Sequence, residues 1–192
     1  MPLPFTEKRK NEPVISIENV VASVDLHQKM NLNDIVRNFE NVEYHPEQFP
    51  GLVFRLKKPR TATLIFSSGK MVCTGAKSEK EARKAVHKVV NSLKKGGIVI
   101  TGEPEITIEN IVASATLPAR VDLEKCVYTL GRTMYEPEQF PGLIYRMNEP
   151  KVVILLFASG KLVCTGAKRE NQVYEAVDRL NRQLKEEDLY FY

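Results

Sequence analysis

The chain has 192 residues, of which 43% are hydrophobic, and its formal net charge at pH 7 is +4. This length and composition predict a globular protein with one substantial core or two small ones, and they exclude an extensively disordered chain. No apolar stretch reaches the roughly 18 residues of a membrane span, and the start MPLPFTEKRK lacks the apolar core of a secretory signal. We therefore expect no membrane partner and a cytoplasmic location.

The first half of the chain alternates between strand and helix periodicity. Residues 14–26 are typical of a strand, and a short helix follows with Asn31 as its N-cap. Strand patterns recur at about residues 42–45, 51–56, 61–67 and 70–76, and turns that contain Pro or Gly separate them. A long helix capped by Ser78 closes the unit. The apolar stripe of the short helix is Leu32, Ile35, Val36 and Phe39, and that of the long helix is Ala82, Ala85, Val86, Val89, Val90 and Leu93.

The same order of strands and helices is then predicted for the second half of the chain. Residues 15–95 align without a gap with residues 106–186, and 36 of these 81 positions are identical. The next strand is expected from about Ile98, and Asp122 caps the second short helix. The stripes of the second pair of helices are Leu123, Cys126, Val127 and Leu130, and Val173, Ala176, Val177, Leu180 and Leu184. We place the first repeat at residues 1–97 and the second at residues 98–192.

A duplication of this length predicts two similar halves related by a pseudo-two-fold axis, with tandem independent domains as the alternative. The connection at residues 94–97 is too short for much freedom, which favours the first arrangement. After the last helix the chain ends in a short acidic tail, residues 186–192, which we expect to be solvated.

The sheet of each repeat has an apolar side that its helices cannot cover. In strand 70–76, Met71 and Cys73 share one parity and Val72 and Thr74 the other, so only one pair can face the helices. The same alternation places further side chains on the second side, namely Asn19, Val21 and Ser23, and in the second repeat Asn110, Val112, Ser114, Val163 and Thr165. Such an exposed apolar side marks a binding surface, unless a sandwich or a dimer buries it as core.

Basic residues lie at or near the ends of these strands, namely Arg55, Lys70 and Lys77, and Arg146, Lys161 and Lys168. An apolar centre with a cationic rim suits the minor groove of a nucleic acid, because sugars are apolar and the groove edges carry phosphates. Residues 1–95 carry 17 Lys or Arg against 10 Asp or Glu, whereas residues 96–192 carry 11 against 14. This asymmetry favours a polyanion for the first half or a basic protein for the second.

The cysteines Cys73, Cys126 and Cys164 lack the spacing of a zinc site, and the chain has only three histidines. We expect reduced thiols in the core, no metal and no other cofactor.

The repeated segments YHPEQFPGLVFRL and YEPEQFPGLIYRM, LIFSSGK and LLFASGK, and VCTGAK resemble the core of the TATA-box-binding proteins, general transcription initiation factors of archaea and eukaryotes. The resemblance covers residues 14–186 and implies an α+β fold. Two β-α-β-β-β-β-α repeats would form one curved antiparallel sheet, a saddle with the helices on its convex face. It also implies minor-groove binding and bending of TATA-box DNA, which nucleates assembly of the preinitiation complex. The short segment before residue 14 matches the archaeal form.

By this resemblance the intercalating phenylalanines are Phe49 and Phe66, and Phe140 and Phe157. Pro50 and Pro141 stand behind the two phenylalanines in the turns. The TATA-box-binding proteins are themselves a standard example of minor-groove wedging, so this role comes from the resemblance and not from the spacing. Taken singly, each of these rings is better explained by a place in the core. Four rings in symmetric pairs, two of them in exposed Pro-Gly turns, favour the wedge role.

The resemblance also implies the minor-groove contacts. Asn19 and Asn110 match the family's central asparagines, whose amides donate to adenine N3 or thymine O2. The remaining contacts are Val21, Leu64, Val72, Thr74, Val112, Pro141, Leu155, Val163 and Thr165. A surface made of these side chains accepts A·T pairs and leaves the guanine amino group without an acceptor.

The six basic residues at the strand ends match phosphate-contacting or rim positions of the family. Glu136 and Glu138 match the loop that docks transcription factor B, through which RNA polymerase would join the complex. The resemblance thus implies a chromosome-associated protein, in the nucleus if the source is eukaryotic. A weak homodimer of the free protein is left open.

Two other classes of function compete with this interpretation. Glu47 and Glu138 recur at equivalent positions, and paired carboxylates serve acid–base catalysis, but no nucleophile or phosphate-binding loop accompanies them. We therefore predict that the chain is not an enzyme. The second competitor is a sheet whose apolar side binds another protein chain.

Overall fold

The computed structural model describes residues 11–192, which contain twelve strands and four helices. The strands are β1 Val14–Asp25, β2 Val42–Glu43, β3 Leu52–Lys57, β4 Arg60–Ile65, β5 Lys70–Ala76, β6 Glu105–Thr116, β7 Arg120–Val121, β8 Thr133–Met134, β9 Leu143–Met147, β10 Val152–Leu156, β11 Lys161–Ala167 and β12 Tyr190–Phe191. The helices are α1 Leu32–Asn38, α2 Glu79–Lys95, α3 Leu123–Thr129 and α4 Glu170–Glu186. The order predicted for each repeat is confirmed, with β7 and β12 added in the second.

One compact unit comprises Glu18–Asn110. Its antiparallel strands lie in the order β2-β3-β4-β5-β1, and α2 packs on β3, β4 and β5. Buried side chains form rows across the strands because directly paired residues point to the same side. The two rows are Leu52, Ile65, Met71 and Val24, and Phe54, Thr63, Cys73 and Ala22.

The other unit comprises Ile111–Tyr192 together with the segment that ends at Ile17. Its strands lie in the order β6-β11-β10-β9-β8, and α4 packs on β11. Its first buried row is Leu143, Leu156, Leu162 and Ala115. The stripe predicted for α4 is confirmed, since Val173, Ala176, Val177, Leu180 and Leu184 are fully buried. The division of the repeats between residues 97 and 98 stays a prediction.

The three predicted N-caps are present. The Asn31 side chain accepts from the backbone N–H of Asn33 and Asp34, and Asp122 Oδ1 accepts from Lys125 N at 3.1 Å. Ser78 Oγ accepts from Glu81 N at 3.0 Å. Each cap satisfies donors that the first helical turn leaves without a partner.

Several predicted boundaries are wrong because side chains and turns compete with strand pairing. No strand begins near Ile98, since the Gln28 amide bonds Val99 O at 2.7 Å and Thr101 N at 3.0 Å and so replaces a neighbouring strand. The strands predicted to reach residues 45 and 67 stop at Glu43 and Ile65, where turns begin. In α1, Val36 is exposed and Phe39 lies at the C-cap, so the predicted stripe narrows to Leu32 and Ile35.

The expectation of a solvated C-terminal tail is wrong for Leu189 and Tyr190, which are buried. Tyr190 pairs with Val121 across β12 and β7, and its hydroxyl donates to Asn181 Oδ1 at 2.7 Å in a buried site. Burial raises the pKa of Tyr190, with smaller contributions from Tyr192 and Cys126. The acidic residues that suggested solvation are followed by an aromatic side chain that completes the core of this unit.

The three cysteines are free and buried, as predicted. Burial raises the pKa of Cys164 to about 11, and burial with the nearby Asp122 carboxylate raises that of Cys126 to about 12. Both thiols are therefore protonated and unreactive at neutral pH. Among residues 11–192 no helix is long and apolar enough to cross a membrane.

Tyr190→Phe should lower the free energy of unfolding by about 1–3 kcal/mol, because the buried Asn181 Oδ1 loses its hydrogen-bond donor. Tyr192→Phe is the matched control, since the Tyr192 side chain is 88% exposed. Urea denaturation followed by circular dichroism measures both. Equal stability of the two variants would contradict a structural role for the buried hydroxyl.

Candidate nucleic-acid interface

The first repeat has a face that turns away from its helices, and we call it the first open face. Directly paired residues form the row Val53, Leu64, Val72 and Ser23 along it. A second row contains Arg55, Ala62 and Thr74. Leu64 and Val72 are half-buried, whereas the neighbouring Thr63, Ile65, Met71 and Cys73 are fully buried. The predicted assignment of alternate residues of β5 to the two sides of the sheet is therefore confirmed.

The second repeat has an equivalent face, the second open face. Its rows are Ile144, Leu155, Val163 and Ser114, and Arg146, Val153 and Thr165. Val112 lies on this face as well, between the buried residues Ile111 and Ala113. In both repeats the middle of the open face is thus aliphatic and small polar side chains accompany it.

The four predicted wedge residues form two pairs of rings. The centroids of Phe49 and Phe66 lie 5.9 Å apart at an interplanar angle of 71°, and those of Phe140 and Phe157 lie 5.8 Å apart at 69°. Phe49 is 43% exposed and Phe140 39%, while their partners are half-buried. Core rings of a domain this size would be covered, so this exposure separates the four from the buried Phe54.

Tight turns hold the exposed rings in place. The backbone N–H of Phe49 donates to His45 O at 2.9 Å, and that of Phe140 donates to Glu136 O at 3.0 Å. Phe66 and Phe157 begin the turns between strands, where each accepts from the N–H of a glycine three residues later. The ring positions are thus set by the backbone and not by a covering layer of side chains.

Two glycines make room for the ring pairs, and sequence reasoning missed them. A Cβ on Gly51 would lie 2.6 Å from Phe49 Cε1 and 3.0 Å from Phe66 Cε1. A Cβ on Gly142 would lie 2.7 Å from Phe140 Cε1 and 3.0 Å from Phe157 Cε1. The recurrence of Phe-Pro-Gly in both repeats is the signal that would have found them.

Asn19 sits in a hydrogen-bond network at the edge of the first open face. Its Oδ1 accepts from Gly75 N at 2.7 Å, and its Nδ2 donates to Thr74 Oγ1 at 3.1 Å. The Gly75 backbone has φ +103, in the left-handed region, beside a register shift between β1 and β5. This bulge aims the Gly75 N–H at Asn19, a contact that the sequence did not predict. Asn110 is half-buried in the same unit.

The predicted phosphate ligands are all exposed but differ in their surroundings. Lys70 and Lys161 are the first residues of β5 and β11 and share the parity of the open faces. Arg55 Nη2 lies 3.6 Å from Glu43 Oε2. Arg146 lies beside Val153 in the second row of the second open face. Lys77 Nζ already donates to Glu18 O at 2.7 Å, and Lys168 lies just beyond the end of β11.

The predicted partner-binding residues Glu136 and Glu138 are exposed in the turn that precedes Phe140, and Pro141 is exposed just after it. Glu47 lies in the equivalent first-repeat turn, with Oε1 4.0 Å from His45 Nδ1. Within residues 11–192, no group of three or more His, Cys, Asp or Glu side chains is arranged to hold a metal ion.

The basic excess of the first half lies mainly away from the open face. Helix α2 carries six Lys or Arg against two Glu, whereas α4 carries three against four Asp or Glu. The buried stripe of α2 packs on the sheet, so its charged side chains project from the opposite side. The charge asymmetry read from composition therefore does not describe the candidate interface.

Comparison with known proteins accounts for this arrangement. The sequence profile of the family described as transcription factor TFIID, or TATA-binding protein, matches residues 14–102 and 105–187. The chain belongs to this family.

Archaeal relatives resemble the chain along most of its length. The TATA-box-binding protein of Pyrodictium occultum is 57% identical over 178 residues, which cover 93% of this chain and 89% of the relative. That of Sulfolobus acidocaldarius is 56% identical over 175 residues, covering 91% and 89%. The solved structure of Methanococcus jannaschii TBP matches with a TM-score of 0.80 and 48% identity, covering 90% of this chain and 98% of that one.

These matches confirm the family resemblance, its archaeal type and the predicted fold class. They also place the chain in a family of transcription factors. The roles of individual open-face residues in this member of the TATA-binding protein family stay predictions.

Gly51→Ala should displace the Phe49 ring, because the added methyl group would overlap Phe49 Cε1. The ring can swing outward, so the melting temperature should change little while the contact between Phe49 and Phe66 is lost. Nuclear Overhauser effects between the two rings measure this contact. Gly102→Ala is the control, since a Cβ there has nothing within 4 Å. Retained ring contacts in Gly51→Ala would contradict the assigned role of Gly51.

Proposed function

We propose that this protein binds TATA-box DNA from the minor-groove side, bends it, and so nucleates assembly of the transcription preinitiation complex. The observation that carries the proposal is the presence of two phenylalanine pairs, each with one exposed ring, beside aliphatic open faces with a lysine at the strand end. A minor groove offers both apolar sugars and charged edges to such a surface.

Bending would follow from insertion of the rings between base pairs. Partial unstacking costs a few kcal/mol per step, and the larger contact surface of bent DNA offsets this cost. Phe49 and Phe140 are held by backbone turns in an exposed position, so little ordering remains to be done on binding. The energetic cost is smallest at flexible pyrimidine–purine steps such as TA, which favours TATA sequences indirectly.

Direct discrimination would come from the orientation of Asn19. Because Oδ1 accepts the Gly75 N–H and one Nδ2 hydrogen is donated to Thr74 Oγ1, the amide group would offer its second Nδ2 hydrogen to a ligand on the open face. The minor-groove edge of an A·T pair presents only acceptors, whereas a G·C pair adds the guanine amino donor. A fixed donor therefore pairs with A·T and opposes G·C, while A·T and T·A stay indistinguishable to it.

The remaining roles belong to the same proposal. The phosphate ligands would be Arg55, Lys70, Lys77, Arg146, Lys161 and Lys168, and the other minor-groove contacts would be Val21, Leu64, Val72, Thr74, Asn110, Val112, Pro141, Leu155, Val163 and Thr165. The exposed carboxylates of Glu136 and Glu138 would dock transcription factor B, which would bring RNA polymerase to the promoter. The DNA complex would be chromosome-associated.

A duplex labelled with a donor and an acceptor at its two ends tests binding and bending together. Titration with protein should give tighter binding to a TATA duplex than to a G·C-substituted one, because only the latter confronts Asn19 with an amino group. At saturation, energy transfer should rise as the ends approach. Phe157→Ala should reduce this rise while leaving the melting temperature nearly unchanged, because the ring lies on the open face.

Phe191→Ala is the matched control, since this exposed phenylalanine lies on β12 and outside both ring pairs. Equal affinity for the two duplexes would overturn the proposal and leave a protein-binding sheet as the better interpretation. A large loss of melting temperature in Phe157→Ala with transfer unchanged would assign this ring to the core.

A further inference from the structure

The half-buried ring of each pair, Phe66 or Phe157, lies beside a cavity, and the two cavities differ in charge. The cavity at Phe66 has a volume of about 620 Å³, and its lining includes Lys70, Asp25 and Glu105. The cavity at Phe157 has a volume of about 500 Å³, and its lining within residues 11–192 includes Lys161 and Thr116 but no carboxylate. One lysine thus shares the cavity at Phe66 with two carboxylates, and one lysine lines the cavity at Phe157 with neutral side chains.

Strand register makes this comparison position by position. Asp25 pairs directly with Lys70 across β1 and β5, and Thr116 pairs directly with Lys161 across β6 and β11. Side chains that are directly opposite in antiparallel strands have Cβ atoms about 4.5–5.5 Å apart and point to the same side. The Asp25 carboxylate therefore stands beside Lys70, whereas Lys161 has a hydroxyl neighbour in its place.

His27 fixes both carboxylates of the first cavity. Its backbone N–H donates to Asp25 Oδ1 at 2.8 Å, and its ring Nε2 lies 2.6 Å from Glu105 Oε2. At the equivalent positions of the duplication, His27 corresponds to Pro118 and Glu105 corresponds to Val14. The acidic group of the cavity at Phe66 therefore has no equivalent at the cavity at Phe157.

We propose that Asp25, supported by Glu105, weakens Lys70 as a phosphate ligand, so that the second repeat holds the DNA backbone more tightly than the first. The inference rests on the proposed function and adds a determinant within it. A lysine with a carboxylate directly opposite it is partly screened, so it contributes less to counterion release when a phosphate arrives. The approaching phosphate is also repelled by the carboxylate itself. Neither effect weakens Lys161, because the residue directly opposite it is Thr116.

The salt dependence of TATA binding measures each lysine separately. Lys161→Ala should flatten the plot of log affinity against log salt by about one unit, as expected for the loss of one phosphate contact. Lys70→Ala should flatten it by less than about half a unit. In an Asp25→Asn background, Lys70→Ala should reach the effect of Lys161→Ala, because the remaining side-chain oxygen still accepts from His27 N–H while the charge is gone.

A charge-conserving exchange provides the matched control. In Asp25→Asn combined with Thr116→Asp, the net charge of the protein is unchanged, and the effects of the two lysine substitutions should exchange places. Thermal melting of each variant establishes that it is folded. Equal effects of Lys70→Ala and Lys161→Ala in the parent protein would overturn the inference, and so would effects that fail to respond to the exchange. Failure of the proposed function is recognised separately, since the parent protein would then not prefer the TATA duplex.

Discussion

In each repeat, the alternation of side chains along a strand is the constraint on which the interface depends. Residues that point to the helices are buried, and every second residue is committed to the other side. In β5 this commits Met71 and Cys73 to the core and leaves Val72 and Thr74 outside it. An aliphatic surface in that position has no use within the repeat itself. Exposed apolar area costs free energy in water, so its retention is best explained by a ligand that covers it.

The precise features of the surface are set by small residues. Gly51 and Gly142 leave the volume that the ring pairs occupy, and Gly75 supplies a backbone donor that orients Asn19. None of these glycines would contact a base pair directly through a side chain. They act by fixing the phenylalanine rings and the Asn19 side chain, and each repeat carries glycines at the equivalent positions.

The sequence was sufficient for features that depend on local rules. Caps at Asn31, Ser78 and Asp122, the stripe of α4 and the two sides of β4 and β5 all follow from periodicity and hydrogen-bonding capacity. Features that depend on distant partners were missed. Gln28 replaces a strand neighbour for residues 99–101, and Tyr190 becomes buried because Asn181 is available to it. Composition also misled, since the excess of lysine in the first half lies mainly on α2 and the local balance at Lys70 is acidic.

If the protein acts as proposed, DNA covers the open faces and leaves the helix side free. Titration of a TATA duplex into protein with labelled methyl groups observes this directly. We expect the methyl resonances of Leu64, Val72, Leu155 and Val163 to shift, because they lie on the open faces, while those of the buried helix residues Val86 and Val177 stay in place. Shifts confined to residues of α2 and α4, with the open-face methyl groups unchanged at saturation, would contradict it.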